Sequence, residues 1–496
     1  MKSTLLPFAF IALTYFLNAQ TQGISYPSVG RGVATTFVND YHSLGINNSA
    51  LGWGNDYGKN VTTGMSEFSL GFYSDSLSSE RLKKLYKAIR TDMKDEEPTE
   101  GQWAEQKEYA QDYVESGMAI DLSYNWLGFS FQTKKFGGIA FSVSEHYNWY
   151  SKLNSQTSDL IFQGKLSSYF DQLTVVYGTD TTKISNSGNV SQDSLDHVIE
   201  GSASVPLNLS GITNGSRIQF TWNRHYNFGY GKKLFGNDST FAIYGGIGGR
   251  FIQSMAMYDM VSDDEGIRMY SAMSPSYNLD YGSVSNINPS NFTESGFIPK
   301  PVGTGYGVDV SASIKLFGKL KIAAAVNNVG SVKYTRNVYR VMDTLVANMS
   351  LGGISDYNIT DAIEPLSEDG GLFSLVGEEE HVVNNPATFR IGGSIDLGKF
   401  LSLGIDLVTP FNKENPGSLA NGVIAAGGDF KPAKWIAISV GYLGGGIYKH
   451  NVPVGVNFIL GGGTYEFGIS SRDALSFFLD SSNSISTAFG FARVRF

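Results

Sequence analysis

Histidine is the side chain that most often serves as a general acid, a general base or a metal ligand, and this sequence contains six. They are scattered along the chain, and no G-x-S-x-G elbow, H-E-x-x-H pair or P-loop accompanies them. The chain has no cysteine, which excludes thiol nucleophiles, thiolate metal sites and disulfides. A Ser-His or Asp-His site at one rim of the fold remains an open alternative. The residues predict a protein that is not an enzyme and holds no cofactor.

Three short acidic runs, at 95–97, 263–265 and 378–380, are the other candidates for chemistry. Carboxylates bind divalent cations when several oxygens converge in a defined turn. Each run lies in a long connection between predicted strands, so we expect solvated charge and no metal site. The net charge of −9 argues against a surface that binds nucleic acid.

The N-terminus has the pattern of a secretory signal peptide. Lys2 is followed by an apolar run from Leu5 to Leu17, and Ala19 offers a small residue before the cut. The run is shorter than the roughly 20 residues of a membrane-spanning helix. We therefore predict a signal peptide at 1–19, the alternative being an uncleaved anchor helix. No later stretch is apolar enough for a spanning helix.

Alternation of apolar and polar residues is the main structural signal. Ile391 and Ile395 fall on one face of a strand, while Arg390 and Ser394 fall on the other, and Gly398-Lys399 forms a two-residue turn to the next strand. The same pattern predicts about fourteen strands, near 61–73, 117–133, 138–150, 217–234, 239–258, 303–317, 320–337, 386–398, 400–411, 420–430, 435–445, 452–460, 464–471 and 484–496.

The connections between these strands alternate between short and long. Short ones recur at 134–137, 236–238, 318–319, 398–399, 431–434 and 461–463, and long ones occupy 74–116, 151–216, 259–302 and 338–385. Short periplasmic turns and long external loops are typical of outer-membrane barrels. We predict an all-β fold, a transmembrane antiparallel β-barrel in the outer membrane of a Gram-negative bacterium. Its even strand number puts both termini in the periplasm. A soluble sandwich is the alternative.

The last strand supports the barrel. It ends on Val494 and an aromatic terminal residue, Phe496, which resembles the terminal-strand signal that bacterial barrel-assembly machinery reads. That machinery and outer-membrane lipid are therefore expected partners.

Charged residues of both signs fall on the predicted lumen face, where we expect them to pair. The histidines His146 and His225 fall there too. In strand 117–133 the apolar phase switches near Leu127-Gly128, which predicts a bulge or an irregular strand. The lumen-facing charges are Asp121, Arg250, Asp309, Lys315, Lys321, Arg390, Asp396, Asp406, Asp429 and Glu466.

The first long connection, 74–116, is expected to be a helical insertion. Leu82, Leu85 and Ile89 share one helical face, and Thr99 and Gln102 form a capping box for a second helix. The pair is interpreted as a self-packed loop subdomain, with a cap over the mouth or a partner-binding element as alternatives.

The glycine-rich stretch from Gly30 to Gly54 precedes the first strand. Its residues Asp40 and Asn47-Asn48-Ser49-Ala50-Leu51 resemble the acidic residue and the Asn-Pro-Ala-x-Leu motif in the N-terminal hatch of the long-chain fatty-acid channel family, with Asn48 and Ser49 replacing Pro-Ala. The chain as a whole resembles divergent members found in Bacteroidota. The resemblance implies a hatch or plug at 20–60 and a barrel at 61–496.

The same resemblance implies a function. Members of that family take up hydrophobic molecules such as fatty acids, capture them in an apolar groove at the outer mouth and release them sideways through a kink in a strand. A hydrophobic ligand is the expected partner under this hypothesis. The alternative is a non-transporting barrel that serves as a subunit of an outer-membrane secretion or assembly complex.

Overall fold

The computed structural model describes residues 25–55, 57–74, 117–187, 190–277, 287, 299–353, 374–446, 450–478 and 484–496. The predicted signal peptide at 1–19 and almost all of the predicted helical insertion at 74–116 lie outside these residues. Within the described residues, no helix is both long and apolar enough to cross a membrane.

The chain is all-β and forms a closed barrel of fourteen antiparallel strands. The ring closes because the first strand pairs with the last, from Thr62 opposite Arg495 to Tyr73 opposite Ser484. All fourteen predicted strands are present, most within two or three residues of their expected bounds. In order around the ring they are β1 Val61–Ser74, β2 Met118–Thr133, β3 Gly137–Lys152, β7 Arg217–Asn237, β8 Phe241–Asp263, β10 Gly303–Leu316, β11 Leu320–Tyr334, β16 Thr388–Leu397, β17 Leu401–Pro410, β18 Val423–Ala433, β19 Ile436–Gly445, β21 Val454–Leu460, β22 Tyr465–Ser471 and β23 Ser484–Arg495.

Six tight hairpin turns join strands at the end of the barrel where β1 begins and β23 finishes. Gly398 (φ 75°) and the pair Phe317-Gly318 (φ 51° and 66°) supply left-handed backbone in two of these turns. Leu397 pairs with Leu401, so the turn at Gly398-Lys399 holds three residues, one more than predicted. Each turn carries an exposed aromatic residue in it or directly beside it. These are Phe136, Phe241, Phe317, Phe400, Trp435 and Tyr465. Together they form the aromatic girdle that marks the edge of a membrane-embedded band.

The outer wall between the two ends is apolar. Ile405 is 64% exposed and Ile247 is 61% exposed, while their sequence neighbours Asp406 and Gly246 face inward and are buried. A barrel surface that exposes large apolar side chains on every second residue is stable in lipid and not in water, because transfer of that area to water is unfavourable. The barrel therefore has the outer surface expected of an outer-membrane protein.

At the opposite end several strands continue beyond the barrel. The segments β15 His381–Asn384 and β20 His450–Asn451 extend the wall, while β9 Gly266–Met273, β12 Val338–Met342 and β14 Ser374–Gly377 form a ribbon continuing from β8. A separate four-stranded sheet consists of β4 Gln172–Tyr177, β5 Asp180–Ser185, β6 Val198–Asn208 and β13 Leu345–Met349.

The short helix α1 Tyr26–Arg31 lies near the N-terminus. The helices α2 Ser155–Gln163 and α4 Leu209–Thr213 connect the external sheet to the barrel, and α3 Gln192–Leu195 joins β5 to β6 within that sheet. Phe170, Leu209, Met260, Met269 and Met349 are buried together in one apolar cluster. Because these residues come from four different parts of the chain, this external core joins the long connections into one packed unit.

Candidate functional site: a chamber inside the barrel

Residues 25–55, here called the inner segment, lie inside the barrel. Pro27 lies in the first turn of α1, and Gly32 ends the helix with a left-handed φ of 73°. Two 3₁₀ turns follow, Asp40–Ser43 and Asn48–Trp53. Most of the segment is buried, including polar residues, because the barrel wall surrounds it.

Glycines of the wall allow this close approach. Gly64 of β1 and Gly128 of β2 lie directly under the Tyr41 ring, and Gly246 of β8 lies under the backbone of Asn48 and Ser49. A Cβ at any of these three positions would overlap the inner segment, so only glycine fits while the segment is in this position.

Ion pairs fasten the inner segment to the wall. Arg31 donates to both carboxylate oxygens of Asp429, at 3.0 and 2.8 Å. Asp40 pairs with Arg493 at 2.5 Å, and Arg493 also contacts Glu466 at 3.2 Å. These charges are almost completely buried, and a buried ion pair is stable only when its partners remain in place.

Backbone groups of the inner segment bind the wall as well. Asp406 of β17 accepts hydrogen bonds from the amides of Ala34 and Thr35, at 2.7 and 2.8 Å, and from the Thr35 hydroxyl at 3.0 Å. This carboxylate satisfies amides that water would otherwise bind, so it fixes the start of the turn after α1.

The residues of the predicted hatch motif lie together at the second 3₁₀ turn. The Asn47 side chain donates to Thr35 O at 2.8 Å, and the Ser49 amide donates to the Ser311 hydroxyl at 2.8 Å. Ala50 and Leu51 are buried against the wall, and Asn48 packs on glycines of β7 and β8. The structure brings these residues together with one another, whereas Asp40 lies apart at Arg493. The terminal-strand residues Val494 and Phe496 lie on the outer wall beside β1 and β22.

The other end of the lumen is crossed by residues 411–422, here called the crossing loop, which connect β17 and β18. Arg217 of β7 donates to Lys413 O at 3.0 Å, and Gln219 donates to Glu414 O at 2.6 Å. Because β7 stands nearly opposite β17 and β18 in the ring, the loop must span the mouth to make these contacts.

A chamber of about 120 Å³ remains between the inner segment and the crossing loop. His42, Leu44 and Ile46 of the inner segment line one end, and Pro416 and Gly417 of the crossing loop line the other. Strands β1, β2, β3, β7 and β8 supply most of the wall. Their lining side chains include Glu67, Asp121, Asn125, Ser144, His146, Asn223, His225, Arg250 and Ile252.

The chamber wall is mostly polar and internally paired. The rings of His146 and His225, both predicted to face the lumen, lie 4.5 Å apart between centroids. Arg250 contacts Asp309 at 2.8 Å. Near the inner segment, Glu67 accepts from Tyr41 at 2.7 Å and lies 2.9 Å from His42. The expected pairing of lumen charges is thus present at these positions.

The wall of β-strands is interrupted beside Glu67. Met65 pairs with Leu127 and Glu67 pairs with Asn125, but Ser66 and Trp126 between them have no partner in the ladder. Ser66 has a φ of 56°, a left-handed backbone that costs of order 1–2 kcal/mol for a residue with a side chain. On its other edge Trp126 forms a bulge against β3. The bulge predicted near Leu127 is confirmed, one residue earlier than expected.

Two of the acidic runs fall among the described residues. Asp263 contacts Arg268 at 3.4 Å, and Glu378 contacts Arg340 at 2.7 Å, in partly exposed positions at the external ribbon. In the described ranges no group of three or more histidine and acidic side chains is arranged to hold a metal ion. The run at 95–97 lies outside the described residues.

The chain is similar in sequence to one protein family. A family model described as "Family of unknown function (DUF5723)" matches residues 177–467, more than half of the chain. The chain belongs to the DUF5723 family. No curated protein matches its sequence.

Solved structures similar to this DUF5723 member include the following three. A TodX deltaS2S3 mutant monoaromatic hydrocarbon channel has 10% identity, a TM-score of 0.45 and coverage of 95% of this chain and 98% of its own. The toluene transporter TodX of P. putida has 11% identity, a TM-score of 0.43 and coverage of 96% and 99%. A Pseudomonas aeruginosa FadL homologue has 10% identity, a TM-score of 0.42 and coverage of 97% of this chain and 99% of its own.

Sequence reasoning missed the crossing loop and the role of Glu67. The run F-N-K-E-N-P-G-S at 411–418 carries only the composition of an ordinary loop. Glu67 is the one acidic residue of β1, and a charge in an otherwise apolar or small-residue strand was the available signal.

Proposed function

We propose that this protein is an outer-membrane channel, closed in the structure, through which hydrophobic small molecules pass passively into the membrane. The observation that carries the proposal is the interruption of the ladder at Ser66 and Trp126. Glu67 and Asn125 line the chamber, and their neighbours Ser66 and Trp126 are exposed on the outer wall. The interruption therefore lies in the part of the wall that separates the chamber from lipid.

The direct route along the barrel axis is obstructed at both ends, which supports a sideways route. The inner segment blocks one end through Arg31–Asp429 and Asp40–Arg493, and the crossing loop covers the other. The chamber is also smaller than the roughly 300–1,000 Å³ of ordinary ligand pockets. A molecule larger than a few waters enters only after the crossing loop or the inner segment moves.

The sideways route determines the class of molecule. A solute that leaves between β1 and β2 enters the hydrocarbon region, where polar solutes are strongly disfavoured. Hydrophobic molecules such as fatty acids or aromatic hydrocarbons meet that condition. The side chains at the exit, Met65, Trp126 and Leu127, are apolar and exposed on the outer wall.

The same proposal includes the roles of the hatch and the barrel, the export of the chain and its orientation in the membrane. The inner segment, with Asp40 and Asn47–Leu51, acts as the hatch of residues 20–60, and residues 61–496 are the barrel. After export and removal of 1–19 in a Gram-negative cell, the assembly machinery reads the terminal strand at Val494 and Phe496. The tight turns and both termini face the periplasm, and the external core faces outward.

A reversible cross-link tests the exit. The chain has no cysteine, so Ser66→Cys with Trp126→Cys forms the only disulfide when oxidised. Uptake of radiolabelled oleate and toluene by cells producing this variant should fall to the level of cells without the protein, and a reducing agent should restore it. Leu70→Cys with Leu122→Cys is the matched control, because these residues pair on the same two strands beyond the interruption.

The outcomes separate the two functions. Equal uptake with the exit locked and unlocked would exclude the sideways route. If wild-type cells take up neither compound, and the barrel purifies in mild detergent as a stable complex with other outer-membrane proteins, the alternative of a non-transporting subunit is correct.

A further inference from the structure

The outer wall carries an open groove that begins at Phe129 of β2, three residues along the strand from Trp126. It extends across β3, β7, β8 and β10 and has a volume of about 650 Å³. Its sides are the exposed apolar residues Ile139, Phe228, Ile247 and Val308. We propose that this groove binds one anionic phospholipid, with an acyl chain along the groove and the headgroup on lysines at its end.

The depth of the groove comes from Gly249. This residue pairs with Phe228 on one side and with Val308 on the other, and its neighbouring outward positions on β8 are Ile247 and Phe251. Large side chains thus surround a position that has none. A Cβ built at Gly249 meets a single atom, Gly307 O at 3.7 Å, so the gap opens to the outside and is not filled by the protein.

The occupant follows from where the groove lies. It faces the hydrocarbon of the bilayer, and its lining side chains are almost all apolar, so they offer an acyl chain dispersion contacts and give a protein partner few hydrogen bonds. Its volume falls in the range of roughly 300–1,000 Å³ that is usual for specific ligand sites.

Lysine side chains at the end of the groove near the tight turns favour an anionic headgroup. On β7 the outward positions run Phe228, Tyr230, Lys232, which brings the lysine about 13 Å from Phe228 at roughly 3.3 Å per residue. Lys134 and Lys135 lie in the adjacent turn before Gly137, which neighbours Lys232. The Tyr230 hydroxyl donates to Phe136 O at 2.8 Å and fixes this corner.

These three lysines are exposed and make no ion pair with any described acidic residue. They stand at the level of the aromatic girdle, where lipid headgroups lie. An anionic headgroup there would face positive charge, while its acyl chain extends past Tyr230 towards Gly249. Each lysine near an anionic lipid surface strengthens binding by roughly fivefold.

Native mass spectrometry of the full-length barrel, released from nanodiscs of mixed phosphatidylglycerol and phosphatidylcholine, tests the site. One phosphatidylglycerol should remain bound preferentially. Gly249→Leu should remove it by filling the groove. Gly393→Leu is the matched control, because Gly393 also faces outward and its Cβ would meet only Lys321 O at 3.7 Å. It should keep the lipid.

A second pair of variants tests the headgroup. Lys135→Gln with Lys232→Gln should weaken retention of phosphatidylglycerol by roughly 30-fold and leave phosphatidylcholine unchanged. Lys319→Gln with Lys399→Gln, in other tight turns, should change neither. Heat-modifiable migration on gels verifies that every variant forms a barrel. Equal lipid retention by Gly249→Leu and Gly393→Leu overturns the proposal. A wild-type dimer that Gly249→Leu converts to a monomer would show that a second copy of the chain occupies the groove, which also overturns it.

Discussion

Arg31 and Asp429 are 398 positions apart in the sequence, yet their side chains form a two-pronged ion pair inside the barrel. The pair joins the end of α1 to β18, so the start of the chain is fastened to a strand formed near its end. Both side chains are nearly buried, and each would be a costly isolated charge without the other. This contact is one of the ion pairs that hold the inner segment in the lumen, another being Asp40–Arg493.

Replacing the Asp429 carboxylate should loosen the inner segment. Asp429→Asn leaves the Arg31 guanidinium buried without its counter-charge, at a cost of roughly 3–5 kcal/mol. In planar bilayers we expect brief channel openings that the wild type lacks. Asp396→Asn is the control, since Asp396 is partly exposed and its carboxylate contacts Lys321 at 3.7 Å and Ser402 at 2.7 Å, both on strands of the barrel. Openings of the same frequency in both variants would contradict this prediction.

Deleting residues 24–54 should open the barrel permanently. The hydrogen bonds and ion pairs that fill the lumen belong to this segment, and the strands pair with one another without it. Single-channel conductance should rise from near zero to that of an open pore. If the full-length protein already conducts like an open porin, the hatch hypothesis is wrong.

The outer face should reject charge. Ile405→Arg puts a cation in lipid and should cost about 2–4 kcal/mol if this position lies near the bilayer midplane. Urea-induced unfolding from lipid vesicles measures the loss. Ser402→Arg is the matched change on the inner face of the same strand, where Ser402 donates to Asp396 at 2.7 Å and a cation would face that carboxylate. Similar losses in both variants would overturn the assignment of faces in β17.

The external sheet should weaken in acid through Asp171. The Ser204 hydroxyl and amide donate to this carboxylate at 2.6 and 2.7 Å, and these hydrogen bonds lower the pKa of Asp171 below its ordinary value. A lowered folded-state pKa stabilises the fold above the unfolded-state pKa of about 4 and loses that effect as pH falls through the folded-state value. Hydrogen exchange in β4 and β6 should therefore accelerate below about pH 4. Asp171→Asn should abolish this dependence, whereas Asp180→Asn, in exposed β5, should preserve it.

Labelling in intact cells tests the orientation. Cysteines at Lys319 and Lys399, in two tight turns, should react with an impermeant maleimide only after the outer membrane is opened. A cysteine at Glu379, between β14 and β15 at the other end, should react in intact cells, as should other positions within 360–380. The reverse pattern would invert the barrel.

The strand pattern and the closed barrel were predictable from local signals. Alternation with a period of two determines which residues of β16 and β17 face lipid. The turn at Gly398-Lys399 was located correctly, although it holds three residues and not two, with Leu397 opposite Leu401. The bulge at Trp126 was visible for the same reason, since an extra residue reverses the phase of the apolar positions.

The sequence predicted which connections are long, but not the structure that they form. The strands β4, β5, β6 and β13 were not expected, because β13 pairs with β6 from more than a hundred residues away and no local pattern encodes such a pairing. In β23 odd-numbered residues face outward as far as Phe491, and even-numbered residues face outward from Ala492. A register shift against β22 at this place interrupts the alternation.

The sequence by itself determined the strands, the turns and the apolar outer wall, because each depends on residues two to ten positions apart and on the contrast between lipid and water. Only the tertiary structure decided that Arg31 binds Asp429, that Asp40 binds Arg493, that the crossing loop reaches β7, and that Gly249 leaves a groove among Phe228, Ile247 and Val308. These contacts exist only once the ring has closed, since closure brings opposite walls to a common lumen and sets outward side chains of separate strands beside one another.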